Sequence, residues 1–189
     1  MKKTVRIALL LGIGFGAAAQ EVAVTERGDS VMLNANGTWD YLSNLSGEAT
    51  AERIIEENPK EYKKPSSAKA ESKGLGDAYR VYYNNEIWRR ISPSELNEEA
   101  DLAWSMKKGD AYAMVIFEEI EINKEDLSQI AFDNAKELSD GLEMVNREYR
   151  HVNGKDLVFM EMAGKMGGIN VSYYSYYFSN ENGSIQFHT

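Results

Sequence analysis

From Leu142 to the end of the chain, apolar and polar positions alternate, and an Asn153-Gly154 pair interrupts the pattern. Alternation with a period of two marks a strand with one buried face. Asn-Gly readily takes the positive backbone angles of a two-residue hairpin. The pattern predicts strands over residues 142–152 and 156–163, and the turn sets their register. Tyr149 should face Val158, Arg147 should face Met160 and Val145 should face Met162, giving a largely apolar face. The opposite face pairs Arg150 with Leu157, Glu148 with Phe159 and Asn146 with Glu161, and is mixed. A second hairpin, residues 169–178 and 184–189, turns at Asn180-Glu181-Asn182-Gly183. In it Tyr174, Tyr176 and Phe178 share a face with Ile185 and Phe187, and this shared apolar character assigns them to the core. Tyr173, Ser175, Tyr177, Gln186 and His188 share the other face, which makes Tyr173 and Tyr177 candidates for contact with a partner.

Upstream, residues 79–83 and 86–91 read as two strands joined by a tight turn at Asn84-Asn85. Residues 100–106 and 111–122 read as two more, across the turn Lys107-Lys108-Gly109-Asp110. One helix stands between the strand groups. Asn123 is placed to cap it, with Asp126 three residues on. Leu127, Ile130, Ala131 and Leu138 fall on one face at helical spacing. Glycine 141 stands where a helix stops. Strands, one helix, then strands predict an α+β domain over residues 75–189: an antiparallel β-sheet with one main helix packed on it.

The stretch 45–74 is rich in Glu, Lys, Ser and Ala and carries Pro59 and Pro65. It reads as a charged, flexible linker, with a short helix over residues 51–57. Before it, residues 20–44 hold short β-branched and aromatic runs between Gly28, Asn34 and Gly37, the mark of a small β-meander. Val31 through Tyr41 resembles a V-x-L-N-x-x-G-T-W-x-Y element found near the start of many exported bacterial proteins, which names no activity.

Residues 1–19 open with Lys2, Lys3 and Arg6, continue with an apolar run from Ile7 to Phe15, and close on Ala17-Ala18-Ala19. That order is a cleavable secretory signal peptide. The run is shorter than the roughly 20 residues a bilayer span needs. The reading therefore predicts an exported protein, periplasmic or extracellular, with no membrane span after cleavage. Losing those three cations leaves 18 basic residues against 30 acidic ones. Such a surface argues against nucleic acid as the partner. There is no cysteine, so disulfides, thiol catalysis and thiolate metal sites are excluded.

Little else in the sequence carries chemistry. His151 and His188 are the only histidines, and neither accompanies a nucleophile motif, so both read as surface residues. Glu118, Glu119 and Glu121 read as a solvated strand face, with no acidic loop of the kind that holds calcium. Gly164-Lys165-Met166-Gly167-Gly168 lacks the spacing of a phosphate loop and reads as a hairpin loop. No catalytic, cofactor-binding or metal residue is assigned. The contact candidates are Tyr173, Tyr177 and the mixed face at Glu148, Arg150 and Glu161.

Glu86-Ile87-Trp88-Arg89-Arg90-Ile91, then Gly109 to Ile116, the helix residues Ile130 to Ala135, Arg147 to Gly154 and the Tyr-rich hairpin together resemble the PsbP-like superfamily. The resemblance covers roughly residues 80–189. That fold includes the extrinsic PsbP proteins of the oxygen-evolving complex, a Ran-binding nuclear import factor and many bacterial envelope proteins. Its characterised members mostly bind other proteins, so the resemblance implies a non-enzymatic binding or adaptor protein, and it carries over no site residues. Its members usually close with a further strand and helix, which the reading expects to follow Thr189. Two other functions fit the residues: an envelope hydrolase using carboxylates such as Glu118 or Glu161, and a carrier holding a small ligand on the mixed face.

Overall fold

In the computed structural model of the chain, the residues described are 21–24, 30–33, 39–41, 55–139 and 141–189. The signal segment predicted over residues 1–19 lies outside them, as does most of the predicted helix over 51–57. Three short strands, β1 (Glu21–Val24), β2 (Ser30–Leu33) and β3 (Trp39–Tyr41), pair antiparallel in that order. The rest of the described chain builds one large sheet, a two-stranded sheet and a single α-helix.

The large sheet joins β4 (Glu56–Tyr62), β10 (Glu143–Val152), β11 (Lys155–Met166), β12 (Ile169–Asn180), β13 (Gly183–His188), β9 (Tyr112–Glu118), β8 (Leu102–Met106) and β7 (Trp88–Ile91), in that spatial order. All neighbours are antiparallel except β4, which runs parallel to β10. The sheet is therefore mixed, not purely antiparallel. The architecture is α+β, with the helix α1 (Lys124–Leu138) packed on this sheet.

Strand β4 corrects the linker expected over residues 45–74. Its seven residues carry four charges and a proline, which looks like linker composition but equally suits an edge strand, where charge and proline block further pairing. The upstream hairpin is corrected too. Strand β6 (Arg80–Tyr83) turns away from β7 and pairs with β5 (Ala70–Lys73), forming the two-stranded sheet.

The Asn153-Gly154 register holds from Val152 opposite Lys155 through Asn146 opposite Glu161. Beyond Asn146 a bulge intervenes, so Met144 and not Val145 faces Met162. A bulge adds one residue to one strand and turns a side chain out; Val145 is 58% exposed. Gly164 belongs to β11, and the hairpin loop narrows to Gly167 and Gly168, both at positive φ. A Cβ on Gly164 would collide with the carbonyl oxygen of Gly141, so glycine there lets the segment leaving α1 cross the strand.

Helix α1 begins as its sequence indicates. The Asn123 side chain accepts from the backbone N–H groups of Glu125 and Asp126, supplying acceptors for donors that have none inside the first turn. It ends on Ser139 in an extended conformation, not on a glycine cap. Leu127 and Ala135 pack into a core with Val158, Met160, Met162, Tyr173 and Tyr177, and Ala131 lies against it. On the other face of the sheet, Tyr79, Val81 and Tyr83 pack on Trp104, Val115 and Phe117. Tyr79 and Phe117 rings lie 5.5 Å apart, and Tyr83 and Trp104 5.7 Å. The helix thus covers one face around β10–β12, while the β5–β6 layer covers the opposite face around β8 and β9.

Candidate functional site

Those two layers leave open the face opposite α1 over β10, β11 and β12, where polar and aromatic side chains such as Glu161 and Tyr174 are half-buried or exposed. Cross-strand pairing lays it out in rows: Asn146, Glu161 and Tyr174; Glu148, Phe159 and Tyr176; Arg150 and Leu157. The three sequence candidates on the mixed face, Glu148, Arg150 and Glu161, share it.

Arg150 is the hub. Its Nε donates to Glu148 Oε1 at 2.5 Å and its Nη1 to the Tyr176 hydroxyl at 2.7 Å. The guanidinium lies over the Phe159 ring, 3.3 Å from the centroid, with Tyr62 of β4 at 5.1 Å. A planar, delocalised cation suits this stacking. Asn58 of β4 donates to Glu148 at 3.0 Å and to the Tyr62 hydroxyl at 3.3 Å. Burial alone would raise the Glu148 pKa, but the bonds from Asn58 and Arg150 hold its carboxyl below the usual range. Next to this polar group Tyr174 stacks on Phe159, centroids 6.4 Å apart at 20°, and is 42% exposed. Glu161, half-buried, lies between Tyr174 and Asn146.

The tyrosine assignment from alternation is inverted. Tyr173 and Tyr177 are 2% and 0% exposed, under α1, while Tyr174 is open and Tyr176 and Phe178 are half-buried. The predicted sharing of faces itself holds, with Tyr176 opposite Phe187 and Tyr177 opposite Gln186. Which face the helix chose decided burial, and both parities of β12 carry enough aromatic surface to accept it. Tyr173 and Tyr177 are core residues and not contact residues.

Under α1 lies a second polar group. Arg147 Nη2 donates to the Glu125 carbonyl at 2.5 Å and to Ser128 Oγ at 2.6 Å, tying the first turn of the helix to β10. The Tyr149 hydroxyl donates to Glu125 Oε1 at 2.8 Å, and burial together with that bond pushes its pKa up to about 12. Arg147 Nε and the Tyr177 hydroxyl are buried without a partner among the described residues. These contacts clamp helix to sheet.

His188 is not a surface residue. It is buried, with Nδ1 2.9 Å from Ser175 Oγ, and burial drives its pKa down to about 4, so it is neutral at pH 7. A serine beside a neutral imidazole is a pair that hydrolases use; here Ser175 is 0% and His188 5% exposed. His151 does lie at the surface, with Nε2 2.9 Å from Glu57 Oε1 and Nδ1 on Asp156. The two carboxylates bind opposite ring nitrogens and do not converge on one point. Among the described residues no group of three or more His, Cys, Asp or Glu side chains is placed to hold a metal ion, and no helix is long and apolar enough to cross a membrane. Glu118 and Glu161 stand on β9 and β11, with two strands between them, and so do not form a carboxylate pair.

Sequence reasoning missed Asn58, Tyr62 and the outward role of Tyr174. The signal for Asn58 and Tyr62 was hidden because their strand was read as linker. No known family model matches the chain, and neither does any curated protein sequence.

Proposed function

We propose that this is an exported, non-enzymatic binding or adaptor protein of the bacterial cell envelope. Its contact surface is the sheet face around Tyr174, Glu161 and the Glu148–Arg150 pair. It carries a PsbP-like α+β domain preceded by a small β-meander, and its partner is a protein of the envelope. The observation that carries this reading is Tyr174: a large aromatic, 42% exposed, stacked on Phe159 beside an organised charge pair. Interfaces favour such a rigid aromatic anchor among satisfied polar groups. The ordering matters as much as the residues, because Arg150 and Tyr176 lock each other and lose little freedom when a partner docks. A surplus of acidic residues points the surface away from nucleic acid.

Native mass spectrometry on mature protein gently purified from its own cell envelope tests the proposal. The expected result is a stoichiometric extra mass of protein size that is lost in Tyr174→Ala. An extra mass of only a few hundred daltons would favour the small-ligand carrier, and a bare monomer would overturn both.

A further inference from the structure

Strand β4 stands at one edge of the large sheet. It is the only parallel strand, and its ladder to β10 shifts between Asn58 and Glu61, on either side of Pro59, which has no N–H to give. Bonds outside that ladder also tie β4 to β10 and its turn. Asn58 reaches Glu148, the Asn153 N–H donates to the Tyr62 carbonyl at 2.8 Å, and Glu61 accepts from the Gly154 N–H at 3.3 Å. His151 sits where the register shifts. Glu61 is its cross-strand partner on β4 and Asp156 its partner on β11. Its ring lies between Glu57 of β4 and Asp156 of β11.

An imidazole donates from both nitrogens only as the cation; the neutral ring donates from one and turns a lone pair to the other carboxylate. We propose that protonated His151 is a latch fastening β4 to the β10–β11 hairpin, and that its deprotonation loosens β4 and bares the Asn58 and Tyr62 flank of Arg150. The consequence for binding rests on the reading of that face as the contact surface; the latch itself does not.

The charges around the ring favour the cation. Glu57 and Glu61 face it from β4 and Asp156 from β11, while the ammonium groups of Lys60 and Lys155 lie over the Tyr62 and Phe178 rings. From α1, Lys124 and Glu125 stand 3.3 Å from each other and engage Tyr149, so they are not free to compete. The bonds to Glu57 and then Asp156 raise the His151 pKa above its ordinary value. A raised folded-state value means the latch is complete below about pH 6.5 and is lost as pH rises through the folded-state pKa. Glu57 and Asp156 side chains are 69% and 66% exposed, so the effect has the size of a surface ion pair.

Amide hydrogen exchange read by NMR on the mature chain at pH 6 and pH 8.5, corrected for intrinsic exchange, tests the latch. Opening of the β4 amides should increase roughly two- to fivefold at the higher pH while β11 and β12 amides hold steady. His151→Gln should show the loosened level at both values. Equal β4 protection at the two pH values, or a pH dependence that survives in His151→Gln, would overturn the proposal. The experiment needs no partner, so a failed latch and a failed contact face are told apart.

Discussion

The guanidinium of Arg150 lies over the Phe159 ring, 3.3 Å from its centroid, and the same group is bonded to Glu148 and Tyr176. Arg150 therefore does two things: it roofs an aromatic core residue and it fixes the charge pattern beside Tyr174. Arg150→Ala strips the roof and leaves Glu148, whose side chain is 15% exposed in the intact pair, without its cation. The expected cost is about 2–3 kcal/mol by chemical denaturation. Arg150→Lys should recover only part of it, because an ammonium cannot stack and bond at once.

The low pKa of Glu148 gives its contribution a pH sign. A carboxyl held below its unfolded value stabilises fully above about pH 4.5 and loses that contribution as pH falls through the folded-state value. Glu148→Gln should flatten the acid limb of the stability curve in that window. A curve identical to the parent's would show that the pair contributes nothing.

His188 titrates from the other direction. Its pKa of about 4 lies below the ordinary histidine value, so its neutral burial contributes fully above about pH 6.5 and is eroded as pH falls toward 4. Roughly 2–4 kcal/mol of stability should disappear over that range. Replacement by Gln, which keeps a polar contact to Ser175, should remove this component of the acid sensitivity.

Tyr177 and Tyr174 should respond in opposite ways. Tyr177 is fully buried, and among the described residues its hydroxyl has no partner in hydrogen-bonding geometry. Tyr177→Phe should leave stability unchanged or raise it by up to about 1 kcal/mol, whereas Tyr177→Ala should cost about 3–5 kcal/mol. Tyr174→Ala should cost less than Tyr177→Ala and act on partner binding.

Gly164 should not tolerate a side chain. With the Gly141 carbonyl against the place its Cβ would occupy, Gly164→Ala must push the segment after α1 away from β11. A loss of about 2 kcal/mol or more is expected in a thermal melt.

Local signals carried much of this fold. The Asn153-Gly154 turn gave the pairing of Tyr149 with Val158 and Glu148 with Phe159, and Asn123 gave the start of α1. Both depend on a few adjacent residues. What the sequence hid was tertiary choice. Strand β12 has aromatics on both parities, and only the landing of α1 sends Tyr173 inward and Tyr174 outward. Strand β4 finds its partner β10 some ninety residues away, and no local pattern distinguishes a charged edge strand from a linker. The bulge at Val145 leaves no mark in the alternation. The candidate face was half legible: Glu148, Arg150 and Glu161 from register, Tyr62 and Tyr174 only from the fold.

Tyrosine nitration mapped by peptide mass tests the central claim, that the Tyr174 face is the contact surface and the Tyr173 face the core. Nitration is run on the isolated protein and on protein bound to envelope material. The account predicts that Tyr174 reacts in isolation and is protected when bound, with Tyr173 and Tyr177 unmodified throughout. Ready nitration of Tyr173 or Tyr177, or undiminished nitration of Tyr174 in the bound state, would contradict it.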